Sequence, residues 1–172
     1  TKLANKLIVE GTGAGKFEPN RDVTRAEFAA MIVRALGLEA TEKAPFSDVA
    51  DSAWYAEAVA AAAEYGIVNG YTDGTFRPNN KITRQELAAM VVRAQKLAGK
   101  EVVLSGAEVA SLLSGYKDAG KVGAWARTEL AAAIKAEIVK GRSSNTIAPT
   151  ATATRAEAAV MILRFLTNVD FI

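Results

Sequence analysis

Three four-residue phrases hold the residue types best able to do chemistry in this chain: Thr24-Arg25-Ala26-Glu27, Thr83-Arg84-Gln85-Glu86 and Thr154-Arg155-Ala156-Glu157. Thr followed three residues later by Glu is a capping box, in which each side chain satisfies a backbone N–H left over at a helix start. Arginine is the odd member. It falls at the first helical position, where the helix dipole disfavours a cation by roughly a few tenths of a kcal/mol. Two readings follow. A guanidinium fork beside free N–H groups at a helix start suits a carboxylate or phosphate ligand. Alternatively, each arginine pairs with an acid of a neighbouring repeat, Asp48 and Asp118 being the candidates.

Other residues are weaker signals. Trp54 and Trp125 sit near the starts of Ala-rich stretches, where Trp is more often a core or staple residue than a platform for a sugar ring. The loops Gly70-Tyr71-Thr72-Asp73-Gly74 and Gly141-Arg142-Ser143-Ser144-Asn145 offer hydroxyls and amides, although turn chemistry accounts for most of them. Asp73-Gly74 lacks the carboxylates of a calcium loop. Gly11-x-Gly13-x-Gly15 lacks the spacing and flanking strand of a dinucleotide fingerprint.

The elements that position these residues repeat along the chain. Residues 16–35 and 75–94 share 12 of 20 positions at an offset of 59, and residues 146–165 form a looser third copy 71 further on. Each copy follows a matching phrase: Leu7-Ile8-Val9-Glu10-Gly11, Gly66-Ile67-Val68-Asn69-Gly70 and Glu137-Ile138-Val139-Lys140-Gly141. The spacing predicts a helix–loop–helix unit in each repeat: residues 1–40, 41–98 and 116–172, with 99–115 a linker holding a short helix from Ser105. In the second repeat the first helix is expected from Ser52 to Tyr65, ended by Gly66. The second helix is expected from Thr83, with Leu87, Met90, Val91 and Ala94 on one face. Partners of Asp48 and Trp54 would precede Thr1, so the chain is expected to start inside its first helix, as a fragment would. Units this small bury little alone, which favours one composite all-α domain of approximate threefold symmetry.

Composition removes whole classes of function. The 172 residues include no Cys and no His, which excludes thiolate or imidazole zinc sites, cysteine nucleophiles and a Ser-His-Asp triad. A net charge of +2 gives no reason to expect nucleic acid as a partner. No apolar run reaches the roughly 20 residues that span a bilayer. Alanine contributes 35 residues, which argues for close-packed helices.

Phe46-Ser47-Asp48-Val49, Trp54, Gly66-Ile67-Val68-Asn69-Gly70, Gly74-x-Phe76-x-Pro78-Asn79 and Ile82-Thr83-Arg84-Gln85-Glu86 together resemble an S-layer homology domain, and the three copies resemble the trio of such domains on bacterial surface-layer and cell-surface proteins. The resemblance implies a pseudo-threefold, spindle-like assembly around a central three-helix bundle. It also implies extracellular placement in the bacterial cell wall or surface layer, no cofactor and no catalysis. The grooves between repeats would bind a secondary cell-wall polysaccharide linked to peptidoglycan, with pyruvylated N-acetylmannosamine as the usual epitope. Other surface-layer subunits would be partners through regions outside this chain. By motif, the resemblance makes Arg25, Arg84 and Arg155 the key arginines. Asp48, Asp118, Trp54 and Trp125 would line the grooves, with Gly70, Tyr71, Gly141 and Arg142 adding contacts. Repeat three departs from the pattern: Tyr116-Lys117-Asp118-Ala119 opens it, and Arg142 stands where repeat two has Tyr71.

Two other classes compete. A helical-repeat module that binds protein is the first, although broad exposed apolar stripes are missing from the pattern. A glycoside hydrolase is the second, and it would need a carboxylate pair about 5–10 Å apart with one raised pKa. The repeated acids here are already assigned to caps or to pairing with arginine.

Overall fold

The computed structural model describes residues 18–170. The expected truncated opening of the first repeat and its Gly11–Gly15 loop lie outside them. Among the described residues there are six α-helices: α1 Arg25–Leu36, α2 Ala56–Glu64, α3 Arg84–Leu97, α4 Gly106–Ser114, α5 Arg127–Lys135 and α6 Arg155–Asn168. Among the described residues extended backbone pairs only in isolated bridges, such as Asp22 with Thr154 and Thr83 with Thr152. The fold is all-α, as the alanine content and repeat pattern require.

Capping explains where the second helices of the repeats begin. Thr24 Oγ1 accepts from Glu27 N–H at 3.1 Å, while the Glu27 carboxylate accepts from Thr24 N–H at 3.3 Å. Thr83 with Glu86 and Thr154 with Glu157 close the same box. Ser105 does so with Glu108 at the start of α4, as the sequence indicates. At its far end α1 stops on Gly37, whose φ of 65° sits in the left-handed region and lets Leu38 N–H reach Val33 O at 3.1 Å.

One expected boundary is corrected. The first helix of the second repeat starts at Ala56, not near Ser52, and carries no side-chain cap. Residues 50–56 instead form successive turns, with Ala53 N–H on Ala50 O and Ala56 N–H on Ala53 O. Short 3-10 turns, Ala119–Lys121 and Ala124–Ala126, play the same part before α5. These turns carry the two tryptophans.

The chain forms two compact units whose borders do not follow the repeats. Among the described residues, one comprises 18–82 together with Thr154–Ala159; the other comprises Thr83–Ala153 and 160–170. The third repeat's helix start therefore belongs with the first two repeats, and the repeats are not beads on a string. In the first unit α2 packs on α1, burying Val59, Ala60, Ala61 and Ala62 opposite a helix that buries Phe28, Ala29 and Ile32. The small side chains let the helix backbones approach. In the second unit α5 packs on both α3 and α4. Leu87, Met90, Val91 and Ala94 of α3 are all buried, as their spacing predicts. The Leu, Met and Val side chains each stabilise by roughly 1.5–3 kcal/mol on full burial.

Candidate functional site

The helix starts are saturated. Arg25 N–H donates to Asn80 O at 2.8 Å, Ala26 N–H to Pro78 O at 3.0 Å, and Glu27 N–H to Thr24. Arg84 and Gln85 N–H donate likewise to Ala151 O and Pro149 O, both at 2.9 Å. Arg155 and Ala156 N–H reach Arg21 O at 2.8 Å and Pro19 O at 3.0 Å. The expectation of free N–H groups awaiting an anion is thus corrected: in each repeat, carbonyls of another repeat already occupy them. The first repeat docks on the second, the second on the third and the third on the first.

Further carbonyls of the neighbouring repeat explain a cation at the positive end of a helix. Arg25 Nε donates to Phe76 O at 2.9 Å; Arg84 donates from Nε to Ile147 O at 2.9 Å and from Nη2 to Lys140 O at 2.8 Å. Carbonyl oxygens gathered at the helix start offset the dipole that would otherwise repel the guanidinium. Arg25, Arg84 and Arg155 expose 7%, 3% and 7% of their surface, so each is held inside the protein.

The anticipated arginine partners are also corrected. Both oxygens of Asp48 accept from backbone N–H groups, Phe76 at 2.8 Å and Arg77 at 2.7 Å. Asp118 holds Ile147 at 2.9 Å and Ala148 at 2.7 Å in the same way. Burial pushes the Asp118 carboxyl up, but these two amides outweigh it and hold the pKa below the usual carboxylate value. Each aspartate ties the opening of its repeat to the loop that receives another repeat's arginine. Arg155 instead meets a capping glutamate of the first repeat: its Nη1 donates to Glu27 Oε2 at 2.9 Å. Arg21 Nη2 donates to the same oxygen at 2.6 Å. Burial raises the Glu27 pKa, and the bonds from Arg21 and Thr24 more than reverse it, leaving it lowered.

Both tryptophans face outward. Trp54 is 64% exposed and Trp125 53%, so neither is a core residue. Trp54 meets Tyr55 edge to face at 5.4 Å. Trp125 lies over Gly123, where an added Cβ would stand 2.7 Å from the indole nitrogen. Gln85 Oε1 accepts from Gly123 N–H at 3.0 Å and so pins this turn to the start of α3.

Tyr71 lies against two cations. The Arg25 guanidinium carbon lies 4.9 Å from its ring centroid and that of Arg77 3.8 Å. Arg77 bonds Asp73 at 3.2 Å, and Asp73 also holds Thr75 N–H at 3.0 Å and Thr75 Oγ1 at 2.6 Å. In repeat three Arg142 stands at the matching place, exposed, with Nη2 on Thr152 O at 2.9 Å. Gly70 and Gly141 serve the backbone. A Cβ on Gly70, at φ 69°, would strike the Phe46 ring and lie 2.8 Å from Thr75 O; one on Gly141 would lie 2.6 Å from Thr146 O.

Sequence reasoning missed Arg77 and Gln85. Each occupies a variable position of its phrase, where residue type alone carries no signal. Among the described residues no cluster of three or more acids could hold a metal ion, and no helix is long and apolar enough to cross a membrane.

Comparison with known proteins identifies the repeats. The family model for the S-layer homology domain matches residues 1–29, 45–88 and 115–159. An amylopullulanase of Thermoanaerobacterium thermosulfurigenes is 42% identical over 95% of this chain, which spans 8% of that protein. A cellulosome-anchoring protein of Acetivibrio thermocellus is 31% identical over 92% of this chain, which spans 35% of it. Among solved structures, an undecaheme cytochrome from the S-layer of Carboxydothermus ferrireducens shares the fold with a TM-score of 0.52 at 20% identity, over 85% of this chain and 17% of that one. With three matched segments in the order of its three repeats, the chain belongs to the S-layer homology domain family.

Proposed function

We propose that this chain is a non-catalytic module that anchors the protein bearing it to the outside of a bacterial cell wall, by binding an anionic secondary cell-wall polysaccharide linked to peptidoglycan. The observation that carries the reading is the pair of exposed tryptophans, Trp54 and Trp125, presented by equivalent turns of two repeats. Each exposed indole presents a large flat apolar face to solvent at the same place in two repeats, and such a face suits a sugar ring. Relatives of unlike name support a role other than catalysis, since an amylopullulanase and a cellulosome-anchoring protein share nearly this whole stretch.

In this reading Trp54, Tyr71, Trp125 and Arg142 touch the polymer. Arg25, Arg84 and Arg155 act from beneath, holding the loops and setting a positive potential for the ligand's carboxylate. Asp48, Asp118, Gly70 and Gly141 fix the loop backbones. A pyruvylated N-acetylmannosamine, whose ketal carries one carboxylate, combines the ring face and the charge that such a surface would take. Other surface-layer subunits would be met through regions outside this chain. Calorimetric titration with that sugar tests the ligand. Saturable binding, weakened about tenfold by Trp54→Ala or Trp125→Ala, is the expected result; the absence of binding, or binding indifferent to both changes, contradicts it.

A further inference from the structure

The second and third repeats share a backbone but not a charge. Asp48 and Asp118 hold matching amides, and Tyr71 N–H on Thr75 O matches Arg142 N–H on Thr146 O. Ser47 N–H on Gly74 O matches Lys117 N–H on Asn145 O. On this common frame, residues 46–78 carry one Arg or Lys against five acids, whereas residues 116–149 carry six against three. The difference reverses the sign of the field that the two stretches present.

The added cations gather at one loop. The bond from Lys117 N–H to Asn145 O, 2.8 Å long, puts Lys117 beside the 142–146 loop. Lys121 follows on the turn closed by its own N–H on Asp118 O at 2.9 Å. Lys140 and Arg142 flank Gly141, and the Lys140 carbonyl is held by Arg84. Lys117, Lys121, Lys140 and Arg142 are all exposed. The acid among them, Asp118, has both carboxylate oxygens on backbone amides. The next acids along the chain are Glu129, which pairs with Arg93 at 3.8 Å, and Glu137, exposed just past the end of α5. In repeat two the places of Lys117, Lys140 and Arg142 hold Ser47, Asn69 and Tyr71, and Asp73 stands where repeat three has Ser144.

We infer that the Lys117–Lys121–Lys140–Arg142 face of the third repeat is a subsite for closely spaced negative charges along a polymer, and that the second repeat's aromatic site takes a different, at most singly charged, stretch. This rests on the wall-polymer reading above for its biological ligand. Four exposed cations around one short loop attract a chain by summed charge, with little stereochemical demand. Beside Tyr71 the Arg77 charge is already paired with Asp73 at 3.2 Å, so the second repeat's loop offers an aromatic surface and less uncompensated positive charge. The closely spaced charges have two sources in polysaccharides, phosphodiester links and uronate carboxylates.

The test is binding of two free polymers, poly(glycerol phosphate) and polygalacturonate, to the full chain across about 50 to 300 mM salt. The wild-type chain binds at least one of them, with affinity falling as salt rises, and the tighter polymer identifies the source of charge. Lys140→Glu/Arg142→Glu lowers affinity by about tenfold or more and flattens the salt dependence, because fewer counterions are released on binding. Lys117→Glu/Lys121→Glu does the same and guards against a folding defect in the first variant. Lys43→Glu, a change on the second repeat, leaves binding unchanged. The inference is overturned if neither polymer binds, or if both double variants bind like wild type. A chain that binds these polymers but does not sediment with wall sacculi would lose the anchoring reading and keep this one. One that sediments yet ignores both polymers would do the reverse.

Discussion

Arg155 and Glu27 are 128 positions apart in the chain, yet the arginine Nη1 donates to the glutamate Oε2 at 2.9 Å. The pair ties the helix start of the third repeat to the capping box of the first, and Arg21 completes the clamp from the exposed side. Arg155, which the sequence offers as a ligand-binding cation, also fastens two repeats together. Arg25 and Arg84 fasten to backbone carbonyls in the same spirit.

Removing the fastener leaves a largely buried carboxylate short of a partner. Arg155→Ala is expected to destabilise by roughly 2–4 kcal/mol. For a chain of this length that lowers Tm by about 5–15 °C. Thermal unfolding followed by circular dichroism measures it, and a shift within a degree would show that the pair contributes nothing net.

Arg84→Ala removes two bonds to carbonyls, Ile147 O and Lys140 O, and should cost about 2–3 kcal/mol in urea unfolding. Arg84→Lys should recover less than half of the loss, since one ammonium cannot reproduce the guanidinium fork. Full recovery by lysine would mean that charge alone matters there.

Acid should loosen the fold through Glu27 and Asp118. Both carboxyls are held below their ordinary values, so they bind protons less readily folded than unfolded. Their stabilisation is complete above the unfolded pKa values, about 4.3 and 3.9, and is lost as pH falls through the lower folded values. Tm should hold between pH 5 and 7, then fall below about pH 4. In Glu27→Gln that acid-dependent loss should be smaller; an identical pH profile would contradict the assignment.

How far could the sequence alone have reached this picture? Capping boxes and the Leu87–Met90–Val91–Ala94 face were readable because they depend on residue type at fixed spacing. The destinations of Arg25 and Asp48 were not, because their partners are backbone groups that every residue carries. Trp54 and Trp125 mislead for a related reason: indoles are usually buried, and only the turns at 50–56 and 124–126 turn these outward.

Gly70 and Gly74 separate steric need from conformational preference. Both have positive φ, but a Cβ meets the Phe46 ring and Thr75 O at Gly70, and nothing within 4 Å at Gly74. Gly74→Ala should cost about 1 kcal/mol, and Gly70→Ala at least about twice that. Equal costs in chemical denaturation would show that the loop around Gly70 yields.

The most direct measurement is co-sedimentation with wall sacculi, using wild type and Trp54→Ala/Trp125→Ala. The wild-type chain should pellet with sacculi that keep their polymer and stay soluble with stripped ones. The double variant should stay soluble with both while its Tm is unchanged, because the two side chains lie outside the core. Equal pelleting with stripped sacculi, or undiminished pelleting of the variant, would contradict a polymer-binding surface built on the exposed tryptophans.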